Sequence, residues 1–341
     1  MSALVLGIES SCDETSVAIV EDGRRVLANE TASQMDLHSR YGGVVPEVAS
    51  RQHLESLPFL VREVLKQSQV KFEDLTGIAV TAAPGLIGAL LVGVSAAKAL
   101  AFRLGVPLAT VHHIEAHLYA AQLDSNSVLF PALGLVVSGG HTELYQMEGW
   151  GKYQLLGSTR DDAAGEAFDK VAKLMGLGYP GGPLIEKLAM AASEVVEKFS
   201  RARMKDKSQD FSFSGVKTAV SLEIKKNPPQ NEKDKERLAA KFQNTVLMEI
   251  TEHVQKALEI YSVKSLVMGG GVACNMALRG ALKKEVESFG VELRVPPPKY
   301  CSDNAAMIAG LGAYQLSQGQ FASFSANATA YPSSVSPFLL Q

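Results

Sequence analysis

The segment Val111-His112-His113-Ile114-Glu115-Ala116-His117 holds three of the chain's seven histidines. It follows an apolar stretch and precedes a helical pattern, so His113 and His117 stand at i and i+4 on one helical face. That spacing presents two imidazoles to one metal ion. The zinc-protease signature requires His-Glu-x-x-His, whereas Glu115 comes two positions after His113 and projects off the histidine face, which counts against a protease. A third ligand has to be a carboxylate from elsewhere. The polar turn Tyr300-Cys301-Ser302-Asp303-Asn304, ahead of a helix spanning 304–318, offers Asp303, although the same position also suits a plain helix cap.

Three turns rich in glycine or serine each follow an apolar strand: Glu9 to Thr15, Ser138 to Thr142, and Gly269 to Asn275. Backbone N–H groups at strand-to-turn junctions form anion-binding nests, and glycine lets the backbone approach a ligand closely. One such turn is ordinary turn chemistry. Three of them, two in equivalent places of a repeated pattern, favour a nucleotide held in a cleft between two lobes. The third opens onto a helix over 275–289, where the Asn275 amide can address a ribose or base. Tyr179-Pro180-Gly181-Gly182-Pro183 is a rigid turn ahead of a helix from Leu184, read either as loop punctuation or as a lid or base-contacting loop. The run Asp161 to Lys170 packs acidic residues into a helix start, where they complement the helix dipole. Asp169, beyond that first turn and next to Phe168, is placed to bind a ligand hydroxyl. The basic run Lys198, Arg201, Arg203, Lys205 and Lys207 suits a solvated surface or a local nucleic-acid contact.

The elements that must position these residues repeat. Strands at Leu4–Ile8, Ser16–Val20 and Arg25–Asn29, with an Asp22-Gly23 hairpin turn, have counterparts at Ala132–Val137, Glu143–Met147 and Tyr153–Leu156. Helix-rich stretches follow each set, at 46–67 and 88–104 and again at 163–175 and 184–199. They alternate with apolar strands at Ile78–Thr81, Leu108–Val111 and Ser265–Met268. This is the pattern of two α/β lobes, with a boundary near Asp124 to Pro131. The length of 341 residues fits two such lobes, read as 1–127 and 128–320, with a loose tail over 321–341. Hydrophobic residues make up 46% and charged residues 20%, an ordinary globular composition that excludes intrinsic disorder. The net charge of −3 excludes a strongly basic stand-alone nucleic-acid binder. Cys12, Cys274 and Cys301 form no CxxC pair, which argues against a disulfide framework or thiolate zinc site and for a reducing compartment. The N-terminus has no leader pattern, and no apolar run of membrane-spanning length lacks polar or glycine interruptions, so a cytoplasmic protein is expected.

The motifs GIESSCDET, VHHIEAH, VSGGHT, DDAAGEAFDK, GLGYPGGP, DFSFSGVKTA, GGGVACN and YCSDNAAMIA, in that order from about Leu4 to Gln320, resemble the tRNA threonylcarbamoyladenosine transferase family, known in bacteria as TsaD. The resemblance implies an actin/Hsp70/sugar-kinase (ASKHA) type fold of two ribonuclease-H-like lobes. It implies transfer of a threonylcarbamoyl group from threonylcarbamoyl-AMP to the adenosine beside the anticodon. It makes His113, His117 and Asp303 ligands of one divalent metal ion, iron or zinc, with magnesium as an alternative accompanying the nucleotide. It assigns Val136, Val137, Ser138, Gly139 and Gly140 to the loop holding the adenylate, Asp169, Gly182 and Asn275 to nucleoside contacts, and Glu186 to a further contact. Asp13 falls at the acidic position facing the reacting centre. The sequence departs from many members at Ala116, where they have glycine, and at Cys274. Implied partners are tRNA, a shortened TsaB-like paralogue forming a heterodimer, a TsaE-like small ATPase, and an enzyme making the adenylate. The rival readings are a small-molecule kinase of the same fold and a non-catalytic nucleotide-binding scaffold.

Overall fold

The computed structural model describes residues 2–39, 41, 43–192, 197–200 and 208–330. In chain order the elements are β1 (Leu4–Glu9), β2 (Glu14–Glu21), β3 (Arg25–Ser33), α1 (Met35–Ser39), α2 (Pro46–Ser68), β4 (Gly77–Ala83), α3 (Ile87–Leu104), β5 (Leu108–His112) and α4 (His113–Tyr119). There follow β6 (Ala132–Val137), β7 (Thr142–Gly149), β8 (Lys152–Ser158), α5 (Ala164–Leu174), α6 (Gly181–Ala191), α7 (Ser214–Lys226) and α8 (Glu232–Ile260). The chain ends with β9 (Ser265–Gly269), α9 (Met276–Ser288), β10 (Glu292–Arg294) and α10 (Ala305–Ser317). Two compact units result, one from residues 1–127 with 296–341 and one from 128–295.

Each unit holds a five-stranded sheet, ordered β3-β2-β1-β4-β5 in the first and β10-β9-β6-β7-β8 in the second. In both, the first strand pairs antiparallel with the second and parallel with the fourth: β1 with β2 and β4, β6 with β7 and β9. The repeat read in the sequence is therefore a repeat of topology. The Asp22-Gly23 turn joins β2 to β3 with both residues at positive φ, the conformation that an Asp-Gly hairpin supplies.

In the first unit the core runs from Leu6, Ile8, Val17 and Ile19 of the sheet to Leu57, Leu60, Val61 and Val64 of α2 and Val94, Ala97 and Ala101 of α3. α3 is the one helix among the described residues long and apolar enough to cross a membrane, with mean hydropathy 1.7. It is also a core helix, with Ala89, Leu90, Gly93, Val94, Ala97 and Ala101 buried. The sequence shows no apolar run of that length free of polar residues or glycines, and this helix is interrupted by Gly88, Gly93, Ser95 and Lys98.

The second unit ends earlier than the sequence reading placed it, at Val295 rather than 320. α10 returns to the first sheet because its small side chains let it lie against β1. A Cβ at Gly7 would stand 2.5 Å from the Ala305 carbonyl oxygen and 2.8 Å from the Ala309 Cβ, and Ala305 to Ala313 are all buried. The beginning of the expected loose tail is pinned as well. The Ala322 N–H donates to the Leu108 carbonyl at 2.7 Å and the Thr329 N–H to that of Ala82 at 2.9 Å. Residues 331–341 lie outside the described residues.

Candidate active site

β5 delivers the histidines. The strand is buried along its length and passes without a loop into α4, whose seven residues are buried too, so His113 and His117 start and nearly finish a helix with no freedom to swing out. Asp303 reaches them from the turn before α10. It is not the cap of that helix, because the Asn304 side chain accepts the Met307 N–H at 3.1 Å and fills that role. His117 Nε2 lies 3.1 Å from His113 Nε2 and 3.1 Å from an Asp303 carboxylate oxygen, which is 3.5 Å from His113 Nε2.

Those separations test the group as a metal site. With ligand bonds of 2.0–2.1 Å, the edge of a tetrahedral site is about 3.3 Å, and the three observed edges bracket it. Outward, His113 Nδ1 donates to a Glu9 carboxylate oxygen at 3.0 Å, leaving Nε2 bare for coordination. Glu9 is fully buried at the end of β1 and accepts from the Thr81 hydroxyl and the Ser11 N–H, each at 2.6 Å. The donor set and its support fit a divalent metal. Glu115 is buried and outside the group.

The carboxylates around His113 draw positive charge into the group, which a proton or a metal cation can supply. Burial favours a neutral His113 ring, yet the Asp303 and Glu9 carboxylates overcome it and hold His113 well above the usual histidine range. Burial and the neighbouring His113 charge push His117 down. Burial opposes ionisation of Asp303, but His113 and His117 outweigh it and hold the carboxyl well below its ordinary value. Glu14 is pushed up to about 8 by burial, then by the charges of Asp303, Asp13 and Glu9. Burial, with Asp13 and Asp303, also raises the Cys12 thiol. Asp13 itself sits in the β1–β2 turn, its carbonyl accepting the Gln34 N–H at 3.0 Å.

The second unit gathers the other expected residues around the end of β6. After Val137 the chain turns at Ser138, whose carbonyl accepts the Gly165 N–H at the start of α5 at 3.1 Å. Gly270, at φ +92°, presses on the same turn, where a Cβ would stand 2.4 Å from the Val137 carbonyl oxygen. Only glycine accommodates both the conformation and the approach. Gly139, Gly140 and Gly182 face open space on the side where a Cβ would project. Asp169, on α5, accepts the Gly181 N–H at 2.7 Å and so caps α6. The turn chemistry of Tyr179 to Pro183 predicts a loop followed by a helix over 184–199; α6 instead spans Gly181–Ala191, because the Asp169 carboxylate satisfies the N–H at its start.

Asn275 caps α9, accepting the Leu278 N–H at 2.9 Å, while its amide donates to Gln243 at 2.8 Å. Glu186 accepts the Met276 N–H of that helix at 2.6 Å. Asp161, read as part of the α5 cap, acts elsewhere. It accepts from the Ser212 and Ser214 hydroxyls at 2.6 and 2.7 Å and from the Phe213 N–H at 2.8 Å, at the start of α7. Of the basic run, Arg201, Arg203, Lys205 and Lys207 lie outside the described residues. Glu9, Thr81 and Gln243 were not singled out from the sequence as supports. An acidic residue ending the strand before the Ser10-Ser11 turn was the available sign for Glu9. Thr81 and Gln243 sit 72 and 32 residues from the groups they hold, with nothing local to mark them.

Cys12, Cys274 and Cys301 are free. Two solved structures share the fold: HypF from T. kodakarensis, with TM-score 0.64, 15% identity and coverage of 93% of this chain and 48% of that one, and the (R)-2-hydroxyglutaryl-CoA dehydratase component A of Acidaminococcus fermentans, with TM-score 0.55, 18% identity and coverage of 92% and 99%. At that identity they show the actin/sugar-kinase type architecture alone. Among curated sequences, the tRNA N6-adenosine threonylcarbamoyltransferase of Geobacter sp. (strain M21) is 51% identical over 325 residues, 95% of each chain. That of Symbiobacterium thermophilum is 52% identical over 311 residues, 91% of each. A family profile described as tRNA N6-adenosine threonylcarbamoyltransferase matches residues 25–310. With that span matched and half of its residues shared along nearly the whole length, the chain belongs to the tRNA N6-adenosine threonylcarbamoyltransferase family.

Proposed function

We propose that this chain transfers the threonylcarbamoyl group of threonylcarbamoyl-AMP to the N6 amine of the adenosine beside the anticodon, in tRNAs that read codons beginning with A. The observation that carries the reading is the convergence of His113, His117 and Asp303, with Glu9 behind them, in a chain of this family. The adenine amine is a weak nucleophile because its lone pair is delocalised into the ring. The enzyme's task is to place that amine against an activated carbonyl and stabilise the charge that develops there. The new N–C bond forms as the C–O bond to phosphate breaks, AMP departs, and one proton leaves the amine.

Val136, Val137, Ser138, Gly139 and Gly140 hold the adenylate through backbone groups, a reading supported by the open space where a Cβ would project at Gly139 and Gly140. Asp169, Gly182 and Asn275 contact the nucleoside, and Glu186 adds a contact at the α9 end. Their present hydrogen bonds fix backbone positions and leave further acceptor and donor capacity on Asp169 and Asn275. Asp13 orients the amine and takes its proton. Two imidazoles and a carboxylate suit iron or zinc, whereas magnesium prefers all-oxygen surroundings and would accompany the nucleotide. When bound, the metal supplies Lewis-acid stabilisation of the phosphate or carbamoyl oxygens. The target base lies in an unpaired loop, so presenting it costs less than extrusion from a duplex. The assembly includes a TsaB-like paralogue and a TsaE-like small ATPase, in the cytoplasm.

The test is transfer itself. The purified chain and these partners are incubated with threonylcarbamoyl-AMP and an unmodified tRNA, which is then digested to nucleosides and weighed. A threonylcarbamoyl mass on adenosine is expected. Its absence with a complete partner set, while the chain still binds nucleotide, sinks the reading.

A further inference from the structure

Helices α5 and α7 line an open groove of about 520 Å³ that carries lysines at four points. Lys170 and Lys173 come from α5 and Lys217 and Lys225 from α7, with the hydroxyls of Thr218 and Ser221 between them. Helical periodicity accounts for the alignment. Lys217, Ser221 and Lys225 recur every fourth residue and Lys170 and Lys173 are three apart, so each helix gives one stripe to the groove. In a chain of net charge −3 such a concentration of lysine is a local departure.

The four lysines divide into two kinds. Lys170 and Lys217 are braced against Asp162, at 2.6 and 2.7 Å, and Lys170 also against Glu166 at 2.8 Å. These pairs tie α7 to α5 and set the width of the groove. Lys173 and Lys225 are exposed and make no ion pair among the described residues, so their charges are available to a ligand. The ligand must be anionic at points spaced along a groove, and it must tolerate the exposed Leu174 and Leu222 beside those charges. A nucleic-acid backbone, with phosphates in series and ribose faces between them, meets both conditions.

We propose that the α5–α7 groove binds the phosphate backbone of the tRNA substrate, an inference that rests on the transferase reading above. Lys173 and Lys225 neutralise phosphates and release counterions. Ser221 offers its hydroxyl to a phosphate oxygen, while Thr218, whose hydroxyl already donates to the Ser214 carbonyl at 3.0 Å, accepts from the ribose 2′-OH that distinguishes RNA. Asp169, assigned to the adenylate, lies on α5 one helical turn before Lys173, so RNA held in the groove rests on an element that also serves the donor.

The test replaces Lys173→Glu and Lys225→Glu, singly and together, with Lys284→Glu on α9 as a control for net charge. Binding of fluorescent unmodified tRNA to the full chain with its partners is followed across a salt series, beside threonylcarbamoyl-AMP binding and transfer. The double variant is expected to bind tRNA about tenfold or more weakly, with a log-log salt slope smaller by about two, donor affinity unchanged, and the control like the parent. Parental tRNA affinity and slope in the double variant, with transfer intact, overturn the groove and leave the transferase reading standing. Parental tRNA affinity with loss of a protein partner also overturns it, since the groove would then be a protein dock. If the parent complex neither binds tRNA nor modifies it, the transferase reading fails first and the groove with it.

Discussion

A neutral imidazole carries one N–H, and the hydrogen bond that N–H makes decides which nitrogen is left for a metal. Glu9 makes that choice for His113. One of its carboxylate oxygens takes the Ser11 N–H, and the other takes both the Thr81 hydroxyl and the His113 Nδ1–H. A Glu9→Gln side chain keeps the volume but has a single acceptor oxygen, so one of these donors meets an NH2 group instead. The expected result is a metal affinity lower by about 10–100-fold with secondary structure retained. Competition against a chromogenic chelator measures it, and parental affinity would show that Glu9 does not orient the ligand. His113→Ala removes one of the three proposed ligands and should abolish both stoichiometric metal and transfer. The histidines were legible because helical spacing is local. Asp303 was legible only as a candidate, since its turn served equally as a cap, and Asn304 in the cap position is what frees it. Glu9 escaped because its partner lies 104 residues away.

Helix starts do much of the positioning in the second unit. α6 begins on the Asp169 carboxylate, α7 on Asp161, and α9 on Asn275 with Glu186 beside it. A side chain that caps a helix from a distance fixes two elements at once, so ligand contacts placed on such residues inherit rigid surroundings. Asn275→Ala removes the α9 cap and leaves the buried Gln243 amide oxygen without its partner. It should cost about 1–3 kcal/mol of stability and weaken threonylcarbamoyl-AMP binding more than tRNA binding. Urea unfolding and donor titration check the two parts. Equal weakening of both ligands would mean that the substitution only loosens the fold. Local signals placed the α9 and α10 starts within a residue, because asparagine before an apolar run is a cap signature. They misplaced α6, whose cap comes from twelve residues upstream on another helix.

At the scale of the molecule, the duplicated strand order was readable from short apolar runs punctuated by turn residues such as Asp22-Gly23 and Gly149 with Gly151, while the return of α10 to the first sheet was not. Its small residues fit β1 only once the sheet exists, and sequence distance hides that pairing. The return carries Asp303 into a neighbourhood already holding Glu9, Asp13 and Glu14, and the folded state bears the cost of that crowding in Glu14. Its pKa stands at about 8 against an ordinary 4.5, with burial first among the causes. A carboxyl raised in this way binds its proton more tightly when folded. Its contribution to stability is complete below about pH 4.5 and is lost as pH rises toward 8. Chelator-treated protein should therefore lose about a few kcal/mol across that window through Glu14. Glu14→Gln, which imitates the protonated acid, should remove this part of the slope, so that its unfolding midpoint overtakes the parent's as pH rises. The difference between the two proteins isolates Glu14 from His113, His117 and Asp303, which titrate in both. Metal loading should shrink that difference, because a bound cation offsets the Asp303 charge that helps raise Glu14. Urea midpoints from pH 5 to 8, with and without chelator, decide the matter. Parallel curves for parent and variant would mean that Glu14 ionises normally in the folded protein.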